Sequence, residues 1–179
     1  MRIIGGKNKG LVLRPPQGLP VRPTTDMAKE SLFNILENRT GITNLKILDL
    51  FAGTGNISLE CCSRGALEVT AVDLHPKCVS YINSQKKELG YSQLEVVRKD
   101  VFSFLKQTDK VYDLIFADPP YDLPGISTIA IFVAERELLT EKGCLIIEHN
   151  RQLNLKTVAT FAGERIYGQS VFSFFNPAL

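Results

Sequence analysis

From Leu45 to Glu148, short apolar runs alternate with stretches of helical spacing, and that alternation admits few folds. "KILDLF" (46–51) runs into Gly53-Thr54-Gly55, which opens a predicted helix through about Ser63, closed by Gly65. "EVTAVD" (68–73) is the next strand. Pro76 stands at the first helical position of "HPKCVSYINSQKKEL", with Lys86 and Lys87 in its last turn and Gly90 as terminator. "LEVVRKD" and "VYDLIFAD" read as the third and fourth strands, followed by a helix over about Ile126–Leu139 and the strand "GCLIIE". Strands of nearly unbroken apolar character imply a mostly parallel, twisted α/β sheet with helices on both faces. The tail "ERIYGQSVFSFF" reads as two β-runs around Gly168, a C-terminal antiparallel hairpin.

The first 22 residues differ in kind. No acid precedes Asp26, whereas Arg2, Lys7, Lys9, Arg14 and Arg22 all fall in that stretch, so a net charge of only +2 hides a basic arm. "RII" and "GLVLR" can pair as a small N-terminal β-hairpin across Gly5–Gly10, and four prolines forbid helix in "RPPQGLPVRPTTD". From Asp26 to about Asn38, Ala28, Leu32, Ile35 and Leu36 recur at helical spacing, with Thr25 or Asp26 as N-cap. A basic arm on a near-neutral body suits a polyanionic partner or a plain solvated face. Arg22, Thr24 and Thr25 divide between nucleic-acid contact and anchoring of the arm.

Other classes recede. Four cysteines without a C-x-x-C pair, and two histidines far apart, make a zinc site improbable and fit a reduced, cytoplasmic compartment. No apolar run nears the ~18 residues of a membrane span, and the N-terminus has no signal-peptide core.

In parallel sheets ligands sit at the carboxyl ends of the strands, and the chemistry-bearing residues gather there. The turn after "LDLFAGTG" allows close backbone approach, and the helix behind it offers free N–H groups. Asp73, at the tip of the second strand, can accept from both ribose hydroxyls of a nucleoside, and Asp100 ends the third strand near an adenine edge. A dinucleotide enzyme would want a third glycine where Ser58 stands, a near miss. Asp49, inside the first strand, is a costly place for an unpaired carboxylate. S-adenosylmethionine, with its sulfonium and α-ammonium, would relieve that cost better than NAD.

The fourth strand ends in "FADPPYD" (116–122). Pro119 and Pro120 stop the ladder and hold Asp118 and Tyr121 in one extended shape. With Asp49–Gly55 and Asp73, the tip Asp118-Pro119-Pro120-Tyr121 resembles Rossmann-like class I methyltransferases acting on exocyclic amino groups. An exocyclic amine has its lone pair delocalised into the ring. A carboxylate at Asp118 and a carbonyl at Pro119, each accepting one N–H, turn that pair toward a donor methyl, while Tyr121 offers a stacking face.

"RIIGG", "RPTTD", "LFNIL", "DLFAGTG", "SRGA" and "DPPY" together resemble the RsmD family across nearly the whole chain. That resemblance implies methylation of a guanine N2 in 16S ribosomal RNA, with S-adenosylmethionine as donor and the small ribosomal subunit or its assembly intermediate as partner. It implies a monomer, while the cysteine and histidine spacing and the short apolar runs point to no metal and no membrane. The shift in composition divides the chain into a basic arm, 1–22, and a methyltransferase domain, 23–179. Asp118, Pro119 and Tyr121 become the catalytic candidates; Asp49, Phe51, Ala52, Gly53, Gly55, Asp73, Leu74, Asp100 and Val101 the cofactor candidates. Arg2, Lys7, Lys9, Arg14, Arg22, Thr24 and Thr25 become the RNA candidates.

The chain departs from the family's "TDR-x-R-E": Met27 replaces the first arginine and Lys29 the second, and if the missing cation touches a phosphate, affinity or site choice differs. Cys61-Cys62 reads as core variation. His149 reads as a surface or capping residue rather than a general base. A DNA or RNA adenine-N6 methyltransferase shares the tip, but 179 residues leave little room for a target-recognition domain. A protein glutamine methyltransferase would more often carry Asn at the tip. A non-catalytic RNA-binding assembly factor would have no need of Asp118.

Overall fold

The computed structural model describes residues 1–19 and 26–176. Its elements are α1 (Asp26–Glu37), β1 (Lys46–Leu50), α2 (Asn56–Ser63), β2 (Glu68–Asp73), α3 (Pro76–Leu89), β3 (Leu94–Arg98), α4 (Val101–Gln107), β4 (Tyr112–Ala117), α5 (Ile126–Glu135), β5 (Leu139–Asn150), β6 (Phe161–Tyr167) and β7 (Ser170–Phe175). The strands form one seven-stranded sheet in the order β3-β2-β1-β4-β5-β7-β6. The first five are parallel and the last two pairings antiparallel, as the tail pattern predicts.

Both faces are covered because the central strands are apolar on both sides. Ile47, Leu114 and Phe116 pack with α1, α2 and Ile82 of α3 on one face. Leu48, Leu50, Ile115 and Ala117 pack with α4 and α5 on the other. The chain reverses direction between β1 and β4: α2 crosses one face toward β2, while α5 crosses the other toward β5. Their adjacent carboxyl ends therefore leave a crevice.

Three elements depart from expectation. Residues 101–107 form α4, capped by the Asp100 carboxylate accepting from Ser103 N at 2.9 Å, where the sequence showed no helix. Helix α5 stops at Glu135 rather than Leu139, because Glu137 adopts a left-handed φ of 52° and Leu138 turns into the core. Strand β5 is correspondingly longer than "GCLIIE".

The N-terminal segment is a hairpin, with Arg2 opposite Val12 and Ile3 N donating to Leu11 O at 2.9 Å. It is docked, not dangling. Ile3 and Leu13 are buried, and the turn is fastened to the end of α2 by Lys7 N to Ser63 O at 2.8 Å. Gly6 is required there: its φ is +72°, and a Cβ would come within 1.9 Å of the Ser63 carbonyl oxygen.

Candidate active site

The crevice deepens into a cavity of about 1130 Å³. Its walls include Asp49, Phe51, Ala52, Gly53, Asp73, Leu74, Asp100, Val101, Asp118, Pro119 and Tyr121, so eleven expected site residues from four strand tips meet in one place. Gly55 stands behind the wall. It precedes α2 with φ +74°, and a Cβ there would lie 3.0 Å from Ile82 Cγ1, so its absence lets α3 approach α2.

Each acid is held differently. Asp73 Oδ2 accepts from Gly53 N at 2.8 Å and Oδ1 from His75 N at 2.7 Å, which fixes the carboxylate and the glycine turn to one another. Asp100 gives one oxygen to the α4 N-terminus and is otherwise exposed on the cavity rim. Asp49 is almost fully buried on the α2 face of β1. Its Oδ2 accepts from Ser58 N at 3.0 Å and from the Ser58 hydroxyl. Burial, with a smaller push from nearby Asp73, raises the Asp49 carboxyl from 3.8 to about 7 despite those two donors. Ser58, read as a missing glycine, is thus the residue that holds the buried acid.

At the β4 tip, Asp118 N reaches Leu50 O at 3.3 Å, continuing the ladder one step beyond Ala117. The Pro119 carbonyl accepts no backbone hydrogen bond among the described residues, while the Pro120 carbonyl closes a turn with Leu123 N at 2.9 Å. Pro119 is buried; Asp118 and Tyr121 are half-buried. Phe51, beginning the glycine turn, has a left-handed φ of 61°, a conformation uncommon for a bulky residue.

Four carboxylates line the cavity against one guanidinium, Arg98, among the described residues. A pyrophosphate would meet like charge there, whereas a ligand with cationic and apolar parts suits both the acids and the walls of Phe51, Leu74, Ile57 and Val101.

The basic candidates separate. Arg2 and Arg14 are exposed beside Met1 and Pro15, which line the cavity. Lys7 and Lys9 occupy the hairpin turn at the other end of α2, about 12 Å of helix away, with Lys7 Nζ 4.7 Å from the Tyr91 ring centroid. Arg22, Thr24 and Thr25 lie outside the described residues. Lys29, which stands for the family's second arginine, is fully buried, 2.8 Å from Glu60 Oε2. One expectation is corrected. His149 is not on the surface. It lies in the core with Nε2 2.8 Å from Ser173 Oγ and Nδ1 donating to Asn150 O at 2.7 Å, and burial lowers its pKa below 6.5.

The sequence reading missed Met1, Pro15, Thr54, Asn56 and His75 in the walls. Thr54 and Asn56 flank Gly55 in the turn already singled out, and that adjacency was the available signal. Met1 and Pro15 reach the cavity only through docking of the hairpin.

Comparison with known proteins covers nearly the whole chain. The family model described as Conserved hypothetical protein 95 matches residues 1–176. The Ribosomal RNA small subunit methyltransferase D of Haemophilus influenzae is 30% identical over 161 residues, covering 88% of this chain and 82% of that protein. Its Escherichia coli namesake is 28% identical over 178 residues, covering 98% and 89%. The solved structure of Escherichia coli yhhF superposes with a TM-score of 0.88 at 26% identity, covering 100% of this chain and 98% of that one.

Proposed function

The chain belongs to the family described as Conserved hypothetical protein 95, and we propose that it is an S-adenosylmethionine-dependent ribosomal RNA methyltransferase. Its acceptor is the exocyclic N2 amine of a guanine in 16S ribosomal RNA, reached as a monomer in the cytoplasm on the small subunit or its assembly intermediate. The observation that carries this reading is the Asp118-Pro119-Pro120-Tyr121 tip standing in the same acid-lined cavity as Asp49 and Asp73.

When bound, the cofactor supplies an electrophilic methyl on a sulfonium. The residues that would hold it are Asp49 toward its cationic end, Asp73 at the ribose, and Leu74, Asp100 and Val101 around the adenine. Phe51, Ala52 and Gly53 form the turn against which it lies, with Gly55 setting the turn from behind.

At the other wall, Asp118 and the Pro119 carbonyl accept the two N–H groups of the amine. That geometry takes the lone pair out of conjugation and points it across the cavity. Tyr121 stacks on the guanine once it has left its own stack. Asp118 holds the proton lost from nitrogen after transfer. The tip therefore contributes orientation and electrostatic stabilisation rather than covalent chemistry. Arg2 and Arg14, next in the chain to the cavity residues Met1 and Pro15, would meet phosphates, and Lys7 and Lys9 extend the basic surface along the hairpin.

The test uses labelled S-adenosylmethionine and small subunits from cells lacking this gene, with the RNA digested to nucleosides. Label is expected in N2-methylguanosine, and Asp118→Ala lowers transfer by roughly 10²–10³-fold while changing cofactor affinity little. Label in N6-methyladenosine would replace the guanine reading, and cofactor binding without transfer to subunits or naked RNA would remove the ribosomal one.

A further inference from the structure

Among the described residues, the buried ammonium of Lys29 meets acceptors from three segments of chain. They are Arg2 O at 2.9 Å, Asn56 Oδ1 at 2.9 Å and Glu60 Oε2 at 2.8 Å. Residues 2 and 4 of the hairpin turn these peptide groups away from their partner strand, because Ile3 uses its own N–H and C=O to pair with Leu11 and Gly10. Lys29 takes the outward carbonyl of Arg2, and Glu60 Oε2 takes the outward N–H of Ile4 at 2.9 Å. The ion pair thus stands where a further strand would. On its other side it grips Asn56, the first residue of α2 and part of the cavity wall. Met1, next to Arg2, reaches the same wall, where Thr54 Oγ1 donates to its sulfur at 3.5 Å.

We infer that Lys29 is a positioning residue for the cofactor cavity, joining the hairpin and the Asn56 amide at one buried point and so fixing where Met1 and Asn56 stand in the wall. The inference rests on the cofactor reading above. With its carbonyl oxygen committed to Lys29, the Asn56 amide has one orientation, and its N–H₂ is left as the donor for a ligand carboxylate or hydroxyl. An ammonium is suited to this junction because its three donors diverge, whereas a guanidinium presents a planar fork.

The test measures S-adenosylhomocysteine binding by calorimetry, together with the salt dependence of binding to a 16S ribosomal RNA transcript. Asn56→Ala, which leaves the Lys29–Glu60 pair intact, is expected to weaken S-adenosylhomocysteine by about 10-fold. Its RNA salt slope should stay near wild type, and its thermal midpoint should fall by less than that of Lys29→Met. The double variant Lys29→Met/Glu60→Gln, which leaves no lone buried charge, should weaken it at least as much, and Lys29→Arg should recover only part of the affinity.

Unchanged S-adenosylhomocysteine affinity in Asn56→Ala overturns the inference, whether or not the double variant folds. A salt slope reduced by about one phosphate contact in Lys29→Met/Glu60→Gln, with cofactor affinity intact, also overturns it and assigns Lys29 to RNA contact. Wild type that binds S-adenosylhomocysteine but methylates no RNA would sink the RNA assignment and leave positioning standing. Wild type that binds none would sink both.

Discussion

Two carboxylates meet helix α2 in nearly dry surroundings, and the protein treats them in opposite ways. Glu60 is fully buried between Lys29 Nζ and Arg64 Nε, each at 2.8 Å, and also accepts from Ile4 N. Among the described residues Asp49 accepts hydrogen bonds from Ser58 alone, and the charge that helps raise its pKa is another acid, Asp73. Desolvating a carboxylate is costly unless cations and donors compensate it. The fold supplies that compensation for Glu60, which ties hairpin, α1 and α2 together. No cation among the described residues does the same for Asp49, which lines the cavity. On the proposed function, that acid is kept for the cationic end of the cofactor.

That contrast can be broken from either side, and the hub should give the larger effect on stability. Lys29→Met leaves Glu60 with Arg64 alone, and the denaturant midpoint should report a loss of about 3 kcal/mol. Adding Glu60→Gln should restore much of it. A loss under about 1 kcal/mol would mean that the pair behaves like a surface ion pair.

On the cavity side, Asp49→Asn keeps an oxygen for Ser58 but removes the charge. Cofactor affinity should fall about 10-fold or more, the loss of a charge-assisted contact in a dry site, while the apoprotein melts higher near neutral pH. Opposite signs for binding and stability are the signature of an acid kept for a ligand; a variant that both binds and melts like wild type would remove the distinction from Glu60.

The same comparison has a pH form. From 3.8 to about 7, the Asp49 of the folded chain keeps a proton that the unfolded chain has lost. This stabilisation is complete at the acid end of the window and declines as pH rises toward 7. Cofactor affinity should rise over the approach to pH 7 as the carboxylate ionises, and Asp49→Asn should flatten both trends. His149 gives the smallest effect, with the opposite slope. Its pKa is lowered from 6.5 by burial, so its contribution is present above 6.5 and lost as pH falls below it. In the Asp49→Asn background, melting against pH should show that slope more clearly.

Much of this was legible in the chain itself. The run "EVTAVD", the Pro76 start and Gly90 stop of α3, and the D-P-P-Y tip all carry local chemistry that the fold does not override. Asp49 was readable as an expensive acid. What could not be read was who compensates whom. Lys29 and Glu60 lie 31 positions apart and meet only because the hairpin and α2 pack around α1. Helix α4 escaped because VFSFLKQ is too short to display a period and its cap, Asp100, doubled as a strand end. His149 was misjudged because its partner Ser173 comes from the antiparallel β7, which buries the end of β5.

The most direct test is calorimetric titration of S-adenosylmethionine at pH 7 in two buffers of different ionisation enthalpy, with wild type and Asp49→Asn. Wild type should release a fraction of a proton as the cationic ligand favours the ionised Asp49, and the variant should release less and bind more weakly. Equal affinity in the two proteins, with no buffer dependence in either, would contradict the role assigned to Asp49 and with it the cationic cofactor in this cavity.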